Sequence, residues 1–367
     1  MKPPIPRTQV CLPILLMFLL SSCTKDKFPK YNSVRELVEG TVSREHLPGM
    51  IAAIVDSTGI LQIESAGVRK IGSTEAITDD DQFHLGSCGK AMTSALMAML
   101  VGENALDWES TVIEVFPELK DTILADYEDM TLHQLLTHRA GMEDPTVELA
   151  EHDEPDIRER RYLYLKDILK IPSTVPAGEY EYSNLGYFVA GVMAERVTGK
   201  SWEALMQERI FEPLGMNSAG FGIPGTPGRV DQPWGHQKVG NAWEPTQMDN
   251  PEEIGPAGTI HSSVQDWVKF LALFLRHDNT AILERSQIEE LIIPVGDYAC
   301  GWWVMERDWA DGTVLTHSGT NTQWFVTVWL APEINRAFIF GTNSFDDQTT
   351  DLSGEVIHSL IGLNEDN

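Results

Sequence analysis

The chain has 367 residues, 42% of them hydrophobic and 22% charged, a composition that suits a globular protein with one large core or two smaller ones. Its formal net charge of −28 argues against nucleic-acid binding, which needs Lys and Arg to neutralise phosphate, and against docking on anionic lipid. The plain reading of that acidity is solubility and mutual repulsion.

Residues 1–22 read as a processing segment. Lys2 and Arg7 precede an apolar run over 10–20, which has the length of a signal-peptide core and is too short to span a bilayer. "LSSC" at 20–23 then resembles a bacterial lipobox. Cleavage there would leave Cys23 as a lipidated first residue and 23–32 as a short tether. The protein would be exported to the bacterial cell envelope and held to a membrane by that lipid alone. The alternative is a secretory signal with a chance cysteine. Cys88 and Cys300 could pair in an oxidising compartment, but two cysteines of unknown separation favour free, buried thiols. With no C-x-x-C pair and no close His/Cys cluster, no zinc site is indicated.

Residues 33–47 carry apolar side chains at a helical spacing, and 50–68 read as strand, turn and strand, with Asp56 to Gly59 as the turn. The stretch 87–290 is dominated by helical patterns, among them "KAMTSALMAMLVGENAL", "YFVAGVMAERVTG" and "SSVQDWVKFLALFLRHD". An acidic run at 148–161 reads as a solvated loop or helix face. Four strand-like runs follow, "CGWWVMER", "TVLTHSG", "WFVTVWLAP" and "RAFIFGTNS", and then a closing helix at 351–362. Strands linked by short turns imply an antiparallel sheet. The expected fold is therefore α/β of the α+β type. An antiparallel sheet flanked by terminal helices is built from 33–86 and 291–367, a mostly helical part from 87–290 is inserted, and a site lies in the cleft between them.

Three short motifs carry chemistry. In "HLGSCGKAM" (84–92), Ser87 and Lys90 are three apart and share a helix face. A lysine pressed against a core pays desolvation, which lowers its pKa and lets it accept a serine proton. The alternative is an N-cap serine and a snorkelling lysine. Ser22 and Lys25 repeat the spacing, but cleavage after residue 22 would separate them. Tyr182, Ser183 and Asn184 form a Y-x-N on a loop before a helix. A phenol can relay a proton and an amide can hold a substrate carbonyl, or the pair is a packed tyrosine and a helix cap. His317, Ser318 and Gly319 follow on a strand-like run. Gly319 admits close approach to the backbone, and the N–H of Thr320 could join that of Ser87 as an oxyanion hole. His84-Leu85-Gly86 and Lys70-Ile71-Gly72 imitate this third motif but precede the serine, and His84 is expected to pack behind the nucleophile turn. Trp234 and His236, in "QPWGHQ", either line the pocket or form a packed turn.

S-x-x-K at a helix start, Y-x-N in the middle and H-x-G on a late strand together resemble the serine β-lactamase and DD-peptidase superfamily. The chain is similar to the class C β-lactamase branch, which includes carboxylesterases and D-aminopeptidases. The resemblance covers about 33–362 and extends to "LLTHRAGM", "YSNLGYFVAGVMAERVTG", "RIFEPLGMNSAGF" and "GPAGTIHSSVQDWVKF". It implies Ser87 as the acylated nucleophile, with Lys90 and Tyr182 sharing its proton. It implies Asn184, His317, Gly319 and Thr320 as the substrate-binding wall, with no metal or organic cofactor. The implied activity is that of a serine hydrolase on an amide or ester of a small molecule or peptide, a β-lactamase-related D-peptidase or esterase. A true β-lactamase and a non-catalytic penicillin-recognising scaffold are the alternatives. One departure stands out. Class C β-lactamases carry Lys in the third motif, where this chain has His317. Imidazole, with an ordinary pKa of about 6.5, would weaken recognition of a substrate carboxylate and restore it only as the pH falls below about 6.5.

Overall fold

The computed structural model describes residues 28–144 and 152–365. The leader, its second Ser/Lys pair and the lipidation candidate Cys23 lie outside those residues. In chain order the strands are β1 (Gly49–Asp56), β2 (Gly59–Gly67), β3 (Gln82–His84), β4 (Gly220–Phe221), β5 (Gly235–Val239), β6 (Ala242–Thr246), β7 (Ile260–Ser263), β8 (Trp303–Arg307), β9 (Gly312–Thr320), β10 (Phe325–Ala331) and β11 (Arg336–Thr342). A six-stranded antiparallel sheet runs in the order β2-β1-β11-β10-β9-β8, so the two ends of the chain meet where β1 pairs with β11.

The sheet is covered on both faces, which explains the nearly unbroken apolar run of β1. Side chains alternate across a strand. Met50, Ala52 and Ile54 join Phe338 and Phe340 against the first helix, Val34–Glu45, and the last, Thr349–Glu365. Ile51, Ala53, Val55 and Ile339 face the opposite way, into the larger core shared with the inserted helices. At its centre lies the helix Lys90–Gly102, buried on every side from Lys90 to Leu100. A helix surrounded by core needs no polar face.

Three features depart from the sequence reading. The middle of the chain also holds a small sheet, β3-β7-β4, and a hairpin, β5-β6. The acidic run is not simply a solvated face, because its described part leads into the helix Ile157–Ile168, where Arg161 is fully buried and ion-paired to Glu195 and Glu203. Asn184 is the first residue of the helix Asn184–Thr198, capped by Ser183, rather than part of the preceding loop. Cys88 and Cys300 are free and buried.

Candidate active site

Ser87 sits in a tight helical turn, Gly86–Gly89, which runs directly into Lys90–Gly102. From Phe83 to Lys90 only Ser87 keeps solvent access. His84 is packed behind the turn, where its Nδ1 accepts from the Gly86 N–H at 3.1 Å and its Nε2 lies 2.8 Å from Asp249 Oδ1.

Lys90 is fully buried, and its Nζ is 2.9 Å from Ser87 Oγ, 2.8 Å from Asn184 Oδ1 and 2.8 Å from the Ala257 carbonyl. The last two oxygens can only accept, so they take two of the nitrogen's hydrogens. Its third direction faces Ser87, and there it holds a lone pair or a proton. The amide of Asn184 has its own director. Nδ2 donates to Asp144 Oδ2 at 2.8 Å, which turns Oδ1 toward Lys90. Asp144 Oδ1 also accepts from the Asn184 N–H at 2.8 Å and from Ser183 Oγ at 2.8 Å, at the start of the helix.

Tyr182 meets the pair from the other side. Its ring centroid is 5.0 Å from Lys90 Nζ, its hydroxyl is hydrogen-bonded to Ser87, and burial pushes its phenol well above the ordinary value. It therefore stays a phenol at neutral pH. His138 fixes the loop that carries it. The His138 carbonyl accepts from the Glu181 N–H at 2.9 Å, its Nδ1 accepts from the Ser183 N–H at 3.1 Å, and its ring lies 4.2 Å from that of Tyr182. Burial and the nearby Lys90 hold His138 well below the usual imidazole range.

The third motif lies beside the nucleophile turn. β8 stops pairing with β9 at Thr316, and past that point the nucleophile turn lies against β9. The fit is close. A Cβ on Gly319 would lie 2.0 Å from the Leu85 carbonyl and 2.7 Å from Ser87 N, and one on Gly86 would lie 2.3 Å from Thr320 N. The amides of Ser87 and Thr320 are thereby neighbours at the mouth of the site. His317 is buried, and burial plus the charge of Lys90 push its imidazole down to about 3. It is neutral at any ordinary pH, which removes the expected gain of positive charge below pH 6.5. Trp234 and His236 form no turn but pack where β5 begins. The His236 ring bridges the Asn343 carbonyl at 2.7 Å and the Ile71 N–H at 3.0 Å, and Trp234 donates to the Arg229 carbonyl at 2.6 Å. Among the described residues no group of three or more His, Cys, Asp or Glu could hold a metal.

A sequence model of the β-lactamase family matches residues 34–359. The chain belongs to the β-lactamase family. It is 27% identical over 352 residues to penicillin-binding protein 4 of Amycolatopsis lactamdurans, covering 90% of both chains. It is also 27% identical over 319 residues to an unguisins hydrolase of Aspergillus campestris, covering 82% of this chain but spanning only 55% of that protein's length. Among solved structures, the D-amino acid amidase of Ochrobactrum anthropi superposes with a TM-score of 0.71 at 22% identity, over 90% of this chain and 96% of that one.

Within this β-lactamase-family site, three residues had no assignment from the sequence. Asp144 and Tyr298 left no local signal, since each acts across a long stretch of chain. His138 lies in "LLTHRAGM", a stretch that pointed to the family but not to a role. Tyr298 is fully buried, and its hydroxyl is 2.9 Å from His317 Nε2.

Proposed function

We propose that the chain is a serine hydrolase that opens an amide or ester through an acyl-enzyme at Ser87, working as a D-peptidase or esterase in preference to a β-lactamase. The observation that carries this reading is the Lys90 nitrogen, whose two carbonyl acceptors leave its third direction for Ser87 Oγ. Lys90, once deprotonated, takes the Ser87 proton as Oγ attacks the substrate carbonyl carbon. The resulting oxyanion is held by the Ser87 and Thr320 N–H groups, each worth about 2.7–4 kcal/mol of barrier in such sites. The proton passes through Tyr182 to the leaving nitrogen or oxygen as its bond to carbon breaks. Water then attacks the acyl-enzyme, gives up a proton to the same pair, and releases the acid and free Ser87 Oγ–H. The second Nδ2 hydrogen of Asn184 would hold a substrate carbonyl. The leader pattern at 2–23 supports export and lipid anchoring at Cys23. A Cys23→Ala variant should then be lost from the membrane fraction.

The test is intact-protein mass after treatment with a serine-reactive phosphonate. Wild-type protein is expected to gain one adduct and Ser87→Ala none. An unlabelled wild-type protein would remove the hydrolase reading.

A further inference from the structure

Behind the nucleophile turn lies a polar cluster that the acyl-transfer steps do not use. His84 ends β3, is fully buried, and accepts the Gly86 N–H on Nδ1 at 3.1 Å. An accepting ring nitrogen holds no proton, so the ring hydrogen is on Nε2. Asp249 Oδ1 lies 2.8 Å from Nε2 but off the line of its N–H, so the contact is that of a charge beside a bond dipole. A carboxylate in that place favours the Nε2–H tautomer, the one that leaves Nδ1 free for Gly86. The same Oδ1 atom accepts from Asn321 Nδ2 at 3.1 Å and from the Asn250 N–H at 2.7 Å. Asn321 follows Thr320, the last residue of β9, and its Oδ1 accepts from the Gln323 and Trp324 N–H groups, both at 3.2 Å. Asn250 anchors the segment that carries the carboxylate, donating from Nδ2 to the Gly258 carbonyl at 2.7 Å.

From these contacts we infer that Asp249 and His84 are positioning residues that hold the two halves of the oxyanion site in register. One carboxylate oxygen reaches the Ser87 side through His84 and Gly86, and the Thr320 side through Asn321. The inference rests on the hydrolase reading and deepens it. Gly86 has a φ of +49°, a left-handed value that glycine adopts at little cost, and the peptide unit it shares with Ser87 carries one of the two oxyanion N–H groups. Rotation of Gly86 would swing that N–H away from the substrate, and the bond to His84 resists it. On the other side, Asn321 pins the chain next to the Thr320 N–H. A misplacement of about 1 Å in such a site costs on the order of 10²-fold in rate, so a carboxylate that touches no reacting atom can still govern turnover.

The experiment uses the mature chain and two phenyl esters of one N-acylglycine, the ordinary ester and the thionoester in which sulfur replaces the carbonyl oxygen. Sulfur accepts hydrogen bonds weakly, so the ratio of the two kcat/KM values, each normalised to hydroxide-catalysed hydrolysis, reads the oxyanion contacts. A smaller folded fraction lowers both rates alike and leaves the ratio unchanged. Phosphonate labelling of Ser87 is followed in parallel. The wild-type enzyme should favour the oxygen ester at least about tenfold, since one oxyanion donor is worth about 10²–10³ in kcat. Asp249→Ala cuts both arms and should bring the ratio close to one. Asp249→Asn keeps an acceptor oxygen and should restore most of the preference. Asn321→Ala and His84→Phe cut one arm each and should lower the ratio part of the way, which decides the matter if Asp249→Ala does not fold. Wild-type ratios in these variants would overturn the inference and leave the cluster a purely structural role. A wild-type enzyme that is labelled but turns over both esters equally would also overturn it, with the hydrolase reading intact. Absence of turnover together with absence of labelling would remove both readings.

Discussion

An asparagine amide has two ends of nearly the same shape, and its neighbours decide which one faces a catalytic lysine. In this site the decision belongs to Asp144. Its carboxylate has two acceptor oxygens. One takes the Asn184 side-chain N–H and the other takes backbone and hydroxyl donors at the helix start. An Asp144→Asn side chain keeps the size but has one acceptor oxygen for both tasks. If that oxygen serves the helix, its own NH2 confronts Asn184 Nδ2, and the Asn184 amide must turn away from Lys90. We expect kcat/KM to fall about 10- to 100-fold, the worth of a hydrogen bond to a charged group. The stability loss should be smaller, about 0.3–1 kcal/mol for a charge at a helix N-terminus. Steady-state kinetics beside a thermal melt would check both. In an Asn184→Ala background the same change should cost little further activity, because the two residues act as one unit. Equal kcat/KM for Asp144→Asn and wild type would show that the carboxylate only caps the helix. His317 teaches a related point. Its identity was legible in the sequence, but its charge was not, because burial and Lys90 set that charge from outside the motif.

At the scale of elements, the proposed oxyanion site depends on two backbone segments far apart in sequence coming closer than side chains allow. Gly319 provides that approach on β9. Its would-be Cβ falls 2.0 Å from the Leu85 carbonyl and 2.8 Å from Cys88 N. Gly86 provides it on the turn, at a φ of +49° that side-chain-bearing residues rarely adopt. Gly319→Ala should therefore force the turn and the strand apart and misplace the Ser87 and Thr320 amides together. Loss of one such donor costs about 10²–10³ in kcat, and this variant should lose at least that while retaining a cooperative unfolding transition. Kinetics, phosphonate labelling rate and a denaturant melt would separate the two effects. A fall of less than tenfold would mean that these amides do not hold the oxyanion. The same elements show what the sequence could and could not reveal. β1, β10 and β11 were legible because each is a long apolar run bounded by turns. β4 has two residues and β6 carries Pro245, so neither has a pattern to read. They exist because β7 and β5 pair with them. Ser87, Lys90, Tyr182, Asn184 and Gly319 were legible through motif order. Asp144 and Tyr298 were not, because nothing local marks a residue whose partner is 40 or 19 positions away.

Across the whole molecule, acid should act on stability in two opposed ways. Lowering the pH from 7 neutralises part of a net charge of −28 and relieves repulsion. It also protonates buried imidazoles, and that term has the opposite sign. His236 is fully buried and joins three segments, with one ring nitrogen on Asn343, the other on Ile71, and its own N–H donating to the Gln323 carbonyl at 3.1 Å. Asn343 in turn donates to the Val68, Arg69 and Trp234 carbonyls. This knot fastens the β5–β6 hairpin to the end of β11 and to the loop that follows Thr320. Burial pushes His236 down to about 4, while in the unfolded chain it returns to about 6.5. Between those values the unfolded chain binds the extra proton, so stability falls as the pH drops through that window and is unaffected by this group above 6.5. The slope is about 1.4 kcal/mol per pH unit. Gln at this position keeps one donor and one acceptor but does not titrate. His236→Gln should therefore lose about 2–3 kcal/mol less stability than wild type between pH 6.5 and 4.5, whatever the rest of the charge does, since the remaining groups are common to both. Urea unfolding at the two pH values gives the difference directly. Parallel losses in the two proteins would mean that the folded ring takes up its proton over the same pH range as the unfolded chain, and that the knot holds by packing and not by a neutral ring.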